Sequence, residues 1–549
     1  MNKPRYREAR NSFDWRSVAH DIGWDEDNRI NLGHSIVDAH ADTHKVALYW
    51  IDKSGNQSVW TYRELRDLSN RVANLLRSLG VGKGDRVAGV LSRRPETIAI
   101  MVAVWKAGGV YIPIFPAFGS EAVRLRVTTC EAKAIFVHGE YRDRIPQMAA
   151  CQVVSICGDK GTGIERGDIS FWHAVNTQPD TFELARYSRS DAAVILFTSG
   201  STGEPKGVLI AANFIAAVRP YMVYCADLQT ADIFWPTGDP SWGYGLVCYF
   251  VALSMGVPVV SYEGTPSPQV CLELLRDRKV TNLAAVPTLL RGIMALGLPK
   301  IASYQIVLRC ISCCGEPLNA EVIRFFREAM GVTPMDHFGS SENGLPLGNF
   351  NGIDAEVRSG SMGLPVPGFD LAIVDDDGRE RPDDEVGWLA LRQSEQGLYA
   401  LGYWKDEERT RSLFRNGWII AGDLAKRDAD GYFWFAGRSD DMIKSSGYRI
   451  GPFDVESAIL HHPAVAEAGV IGKPDQLRGQ IVKAFVVLKP GASRSPELEK
   501  EIQDTARRVL GDHAYPREVE IVRSLPKNEA GKIQRFQLRA AQASLPIPK

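Results

Sequence analysis

Apolar residues at Leu65, Leu68, Val72, Leu75, Leu76 and Leu79 recur at the three- and four-residue spacing of one helix face. Thr61-Tyr-Arg-Glu64 forms a capping box at the start of this run and Gly80 ends it, so the pattern predicts an amphipathic helix over 61–80. The period then changes. Residues 86–91 read as a strand, 95–107 as a helix buried on most sides, and 134–137 as the next strand. Strand and helix keep alternating through 215–228 and beyond, with no repeat period and no low-complexity segment. That rhythm implies parallel sheets covered by helices. Past Gly437 the pattern differs: 483–488 and 519–522 read as strands with a helix over 496–510 between them. About 110 residues of such α+β pattern suffice for a separate domain. The expected fold is α/β, a large N-terminal domain (1–438) of helix-covered, largely parallel sheets followed by a small α+β domain (439–549). The break falls at the polar, glycine-led Gly437-Arg-Ser-Asp-Asp-Met442.

Composition narrows the class. A chain of 549 residues with 45% hydrophobic and 24% charged residues has the make-up of a globular protein with more than one core. Its net charge of -2 gives no reason to expect nucleic acid or an anionic membrane as partner. The longest apolar run, Ile98-Ala-Ile-Met-Val-Ala-Val-Trp105, is far short of the roughly 18 residues of a membrane span. The first ten residues hold no apolar h-region, so a cytoplasmic protein without a secretory signal is expected. All nine cysteines fall between Cys130 and Cys314, which fits reduced thiols. Cys310-Ile-Ser-Cys313 has redox-motif spacing, but it closes an apolar run and no second pair completes a zinc site, so buried structural thiols are expected.

The stretch most suggestive of chemistry is Thr198-Ser-Gly-Ser-Thr-Gly-Glu-Pro-Lys-Gly207, a polar loop between the strand-like runs 192–197 and 208–210. Its three glycines let the backbone approach a ligand, its hydroxyls donate, and Lys206 adds a positive charge, a combination suited to polyphosphate. It is not a Walker A loop, because Pro205 stands where that motif needs its second glycine.

The string resembles the phosphate loop of the adenylate-forming superfamily, which includes acyl-CoA synthetases, luciferases and the adenylation domains of peptide synthetases. Six further segments match that family in its order: Gly315-Glu-Pro317, His337-Phe-Gly-Ser-Ser-Glu342, Gly422-Asp423, Gly431-Tyr-Phe-Trp-Phe-Ala-Gly-Arg438, Lys444-Ser-Ser-Gly-Tyr-Arg449 and Pro526-Lys-Asn-Glu-Ala-Gly-Lys532. The resemblance implies an AMP-forming carboxylic acid:CoA ligase. The carboxylate attacks the α-phosphate of ATP, pyrophosphate leaves, and the CoA thiol then attacks the acyl adenylate. A free-standing adenylation enzyme that loads a carrier protein or forms an amide is the alternative.

Carried over residue by residue, the resemblance implies that Thr198, Ser199, Gly200, Ser201, Thr202, Gly203 and Lys206 hold the phosphates. Gly315, Glu316, Pro317, His337, Phe338 and Gly339 would line the nucleotide site, with Ser341 near the α-phosphate and Glu342 binding Mg²⁺. Asp423 would take the ribose hydroxyls, Arg438 would support the ribose, and Arg449 the phosphates. Lys532 is the implied catalytic lysine of adenylation, on a small mobile domain that turns about Asp440, while Gly447 and Tyr448 would border the CoA arm. The acyl pocket is implied at Trp242, Gly243, Tyr244, Cys314 and Gly339; acetyl-CoA synthetases carry a tryptophan at the last of these, so its absence implies short-to-medium-chain acids. ATP and CoA are the implied co-substrates beside a small carboxylic acid. The oligomeric state, monomer or homodimer, stays open.

Overall fold

A computed structural model describes residues 3–25, 29–42, 44–147, 151–157, 163–199, 205–316, 318, 320–445, 448–512, 514–527 and 533–543. The chain separates into two compact units, Met1–Asp370 with Leu391–Ile419, and Leu371–Ala390 with Ile420–Lys549.

Two large sheets build the first unit. One has eight strands in the order Ala400–Tyr403, Pro205–Ala211, Ala192–Ser199, Val110–Ile114, Arg86–Val90, Ala134–His138, Gln152–Ile156 and Ile169–Ser170. It is parallel from Ala192–Ser199 onward and antiparallel at the Pro205–Ala211 edge. The other has nine strands, with Pro334–Ser340, Cys310–Cys314, Asn282–Ala285, Phe234–Pro236, Val259–Tyr262 and Val46–Ile51 side by side and parallel. Parallel order puts the carboxyl ends of these strands on one side of each sheet, the place where open α/β sheets bind ligands.

The covering helices follow the sequence pattern. Tyr62–Ser78 starts at Thr61, whose hydroxyl accepts from the Glu64 N–H at 3.2 Å while the Glu64 carboxylate accepts from the Thr61 N–H at 2.7 Å. Pro95–Lys106 begins on proline, whose missing N–H costs nothing there, and is buried nearly all round. Even its last residue, Lys106, is enclosed, with the ammonium paired to Asp38 at 2.7 Å and Asn70 at 2.6 Å. Within the stretch 215–228, Phe214–Pro220 is α-helical and Tyr221–Cys225 is a π-helical turn. Pro220 lacks the N–H that a continuing α-helix needs, and the wider turn takes up the difference.

The second unit contains Leu371–Val374 and the antiparallel pair Trp418–Arg427 and Phe433–Arg438, the former strand entering from the first unit. It also holds a sheet in which Val465–Asp475 and Gly479–Leu488 pair over their length and Glu518–Ile521 runs parallel to the latter. Helix Pro496–Leu510 matches its expected bounds and is capped by Ser495, which accepts from the Leu498 N–H at 3.2 Å. All nine cysteines are free thiols. Cys310 and Cys313 lie three apart on one buried strand and so point to opposite faces, which rules out a redox pair between them. Among the described residues no helix is long and apolar enough to cross a membrane.

Candidate active site

The segments singled out in the first unit converge at the carboxyl ends of its parallel strands. Thr198 and Ser199 end one strand of the eight-stranded sheet, paired with Lys206 and Pro205 across the hairpin. Gly200, Ser201, Thr202 and Gly203 lie outside the described residues. Pro334–Ser340 delivers Ser341 and Glu342 from the other sheet. The two sheets are linked here by Tyr403, whose hydroxyl donates to Glu342 Oε1 at 2.9 Å. Tyr403 lies opposite Val208, on the outer strand of the phosphate-loop hairpin. One carboxylate is therefore fixed beside the expected phosphate loop by a residue no motif indicated. Its position depends on a strand pairing almost 200 residues apart in sequence.

The segment Pro240-Ser-Trp-Gly-Tyr-Gly245 reaches the same place. The Trp242 N–H donates to the Asp239 carbonyl at 2.9 Å and the Ser241 N–H to the Asp239 carboxylate at 2.9 Å, while Arg93 Nε donates to that carboxylate at 2.9 Å from a buried position. The indole packs against Phe115 and Phe118, with ring centroids 5.8 and 6.1 Å away. A Cβ placed on Gly243 would lie 3.8 Å from Ser341 Oγ, so the expected acyl wall adjoins the expected catalytic segment. Trp242, Gly243 and Tyr244 keep accessible surface, whereas Gly245 to Ser254 are buried, so only the first turn of the helix Gly243–Ser254 faces open space.

Several expected contacts take a different form. His337 turns its ring into the core: Nε2 lies 2.9 Å from the Asn349 carbonyl and Nδ1 2.9 Å from the Tyr221 hydroxyl. Burial pushes its pKa down to about 3, so the ring stays neutral. The Glu316 carboxylate accepts from Thr288 Oγ1 at 2.7 Å and from Arg291 at 2.7 Å, a bond within the protein framework. Asp336, enclosed beside His337, accepts from the Leu318 N–H at 3.3 Å, and burial raises its pKa to about 7. Gly339 does not leave a cavity: a Cβ there would meet Leu345 Cδ2 at 2.5 Å and the Gly344 carbonyl oxygen at 2.6 Å. Leu345 holds the room that a larger residue at 339 would need. Its sequence neighbours give no sign of this, because the strand pairing has a bulge between Phe338 and Ser340. Cys314 ends its strand opposite His337 and is buried, and Gly315 follows it. Phe338 is partly buried, and Pro317 lies outside the described residues.

In the second unit, Asp423 and Arg438 lie opposite each other on adjacent strands, Oδ1 to Nη1 at 3.4 Å, with Asp440 3.7 Å from Arg438 Nε. Tyr448 is exposed. Gly447 and Lys532 lie outside the described residues, as does the side chain of Arg449.

The profile of the AMP-binding enzyme family matches residues 37–404, and that of the AMP-binding enzyme C-terminal domain matches 454–532. The chain belongs to the AMP-binding enzymes. This AMP-binding enzyme is 37% identical to the acetyl-coenzyme A synthetase of Bacillus subtilis, over 99% of its own length and 96% of that protein's. Among solved structures it is similar to the acyl-CoA synthetase of Brucella canis, with a TM-score of 0.78 and 38% identity over 98% of this chain and 99% of that one. It is also similar to the anthranilate CoA ligase AuaEII in complex with anthranoyl-AMP, with a TM-score of 0.84 and 30% identity over 96% and 99%.

Proposed function

We propose that this AMP-binding enzyme is an ATP-dependent, AMP-forming carboxylic acid:CoA ligase acting on short-to-medium-chain acids. One observation carries the reading: Glu342, Ser341, the Thr198–Lys206 hairpin ends and the Trp242–Tyr244 wall meet at the carboxyl ends of two parallel sheets. In the first half-reaction the acid's carboxylate oxygen bonds to the α-phosphorus of ATP and the bond to the pyrophosphate oxygen breaks. Lys206 and the phosphate loop take the phosphate charge, and Lys532 neutralises charge on the oxygens of the pentacoordinate phosphorus. Glu342 fits Mg²⁺, since it is a hard carboxylate donor, partly accessible, with Oε1 steadied by Tyr403. Bound there, Mg²⁺ supplies charge neutralisation on phosphate oxygens. The Asp423 and Arg438 pair takes the ribose hydroxyls, a carboxylate accepting from neighbouring hydroxyls.

In the second half-reaction the CoA sulfur bonds to the acyl carbon and AMP leaves. The residues beyond Asp440 then turn about it, bringing Gly447 and Tyr448 to the thiol channel in place of Lys532. Breadth towards longer acids rests on Trp242 and Tyr244, since Leu345 fills the space at Gly339. The test is AMP release with a panel of acids, with and without CoA. Acid-dependent pyrophosphate exchange and CoA-dependent AMP release are expected; AMP release indifferent to CoA would point instead to an enzyme loading another acceptor. Lys532→Ala is expected to abolish exchange while sparing thioester formation from supplied acyl adenylate, and equal loss of both would make the lysine structural.

A further inference from the structure

A buried chain of hydrogen bonds runs inward from the wall described above. The Tyr244 hydroxyl lies 3.0 Å from that of Tyr221, which lies 2.9 Å from His337 Nδ1, and His337 Nε2 lies 2.9 Å from the Asn349 carbonyl. The direction of every proton follows from the far end. A carbonyl oxygen only accepts, so Nε2 carries the hydrogen. The neutral ring then has a bare Nδ1, which takes the Tyr221 proton. With that proton committed, the hydrogen between the two tyrosines is Tyr244's.

The far end is held firmly. Asn349 is anchored by its own N–H and side-chain amide, which donate to the Asp336 carbonyl at 3.1 and 2.9 Å. A Cβ on Gly348 would meet the His337 ring at 2.8 Å, so the imidazole packs directly on the glycine backbone. Tyr221 sits in the π-helical turn Tyr221–Cys225 and is wholly buried. Of the two tyrosines only Tyr244 retains accessible surface, on the first turn of the helix beside Ser341. The polarity of this wall is thus set from inside the core, away from any ligand.

We propose that Tyr244 presents its oxygen to the acyl tail as an acceptor only, so that the enzyme favours acids carrying a hydroxyl or amino donor on the tail over isosteric acids whose tail group only accepts. Tyr221 and His337 are positioning residues that hold Tyr244 in this orientation. The inference rests on reading Trp242 to Tyr244 as the acyl wall. An acceptor-only tail group, such as a ketone or a second carboxylate, meets lone pairs there and loses its hydration without return.

The experiment uses the full-length enzyme and hydroxy and oxo acids matched carbon by carbon, such as 4-hydroxypentanoate with 4-oxopentanoate and 5-hydroxyhexanoate with 5-oxohexanoate, with the unsubstituted acids as reference. Acid-dependent ATP–pyrophosphate exchange gives kcat/KM for each. The wild type is expected to favour the hydroxy member of at least one pair by about tenfold, the worth of one hydrogen bond made against one denied. In Tyr221→Phe the Tyr244 proton is released and able to turn outward, so the ratio falls to about one or inverts. Tyr244→Phe brings the hydroxy-to-oxo ratio to about one, a quotient taken within that variant and so independent of its overall rate, which also serves if Tyr221→Phe does not fold. An oxo acid preferred by the wild type, or a ratio unchanged in both variants, overturns the proposal. Exchange with unsubstituted acids but with neither substituted member also overturns it and leaves the ligase reading standing; no exchange with any acid overturns both.

Discussion

Replacing Gly339 by tryptophan separates two accounts of this position. If Gly339 merely leaves a tunnel open, the indole obstructs only tails that reach it, and acetate and propionate are spared. The geometry argues otherwise. The first side-chain carbon alone would stand 2.5 Å from Leu345 Cδ2 and 2.6 Å from the Gly344 carbonyl oxygen, about 1 Å inside normal contact. The leucine can move, but the carbonyl belongs to the backbone joining Ser340 to Gly344, the segment that carries Ser341 and Glu342. Overpacking of this kind costs about 1 to 3 kcal/mol, and a displacement of about 1 Å at a reacting group costs about 100-fold. Gly339→Trp is therefore expected to lower kcat/KM for every acid by a similar factor of about 100, read by pyrophosphate exchange from acetate to octanoate. Adding Leu345→Ala to it should recover part of the loss and leave a residual defect that grows with tail length. Full activity on acetate in the single variant, with loss confined to longer acids, would refute the clash.

Tyr403→Phe removes the donor to Glu342 Oε1 and should lower kcat/KM for ATP about tenfold, with a higher Mg²⁺ requirement in the exchange assay; an unchanged Mg²⁺ titration would show that Glu342 does not depend on Tyr403. Asp336 keeps its proton in the folded protein up to about pH 7, whereas in the unfolded chain it ionises near pH 4. Between those values the native state binds the extra proton, so this group makes stability fall as pH rises and adds no further slope above about 7. Asp336→Asn should consequently raise Tm relative to wild type at pH 8 and give no gain at pH 4, followed by thermal melts in both buffers. Asp440→Pro fixes one backbone angle at the proposed hinge and should block one half-reaction while sparing the other, measured as exchange against thioester formation from supplied acyl adenylate.

Local chemistry made much of this fold legible. The capping box at Thr61, the proline opening of Pro95–Lys106 and the Ser495 cap each act within four residues, so the helices lie where their sequences place them. Motif residues were legible in the same way, as short strings. What stayed hidden depends on non-local pairing. Tyr403 reaches Glu342 because its strand lies against Pro205–Ala211, and Leu345 fills the space at Gly339 where a bulge shifts the register between Phe338 and Ser340. His337 stands in a polar motif and reads as a ligand contact. Its inward turn follows from Tyr221 and Asn349, 116 and 12 residues away in the chain. The π-helical turn that follows Pro220 has no signature in the local pattern of apolar and polar residues.

The start of the helix Gly243–Ser254 has a consequence for how acid preference can change by mutation. A Cβ at Gly245 would come within 2.1 Å of the Asp239 carbonyl oxygen, so loop and helix touch backbone to backbone at that point. Asp239 is itself gripped by Arg93 from the core. A library drawn at 242 and 244 redecorates a wall whose frame stays put, and its members differ in tail selection while sharing one catalytic geometry. A library that includes 245 moves the frame, and most of its members are lost before selection for any acid begins.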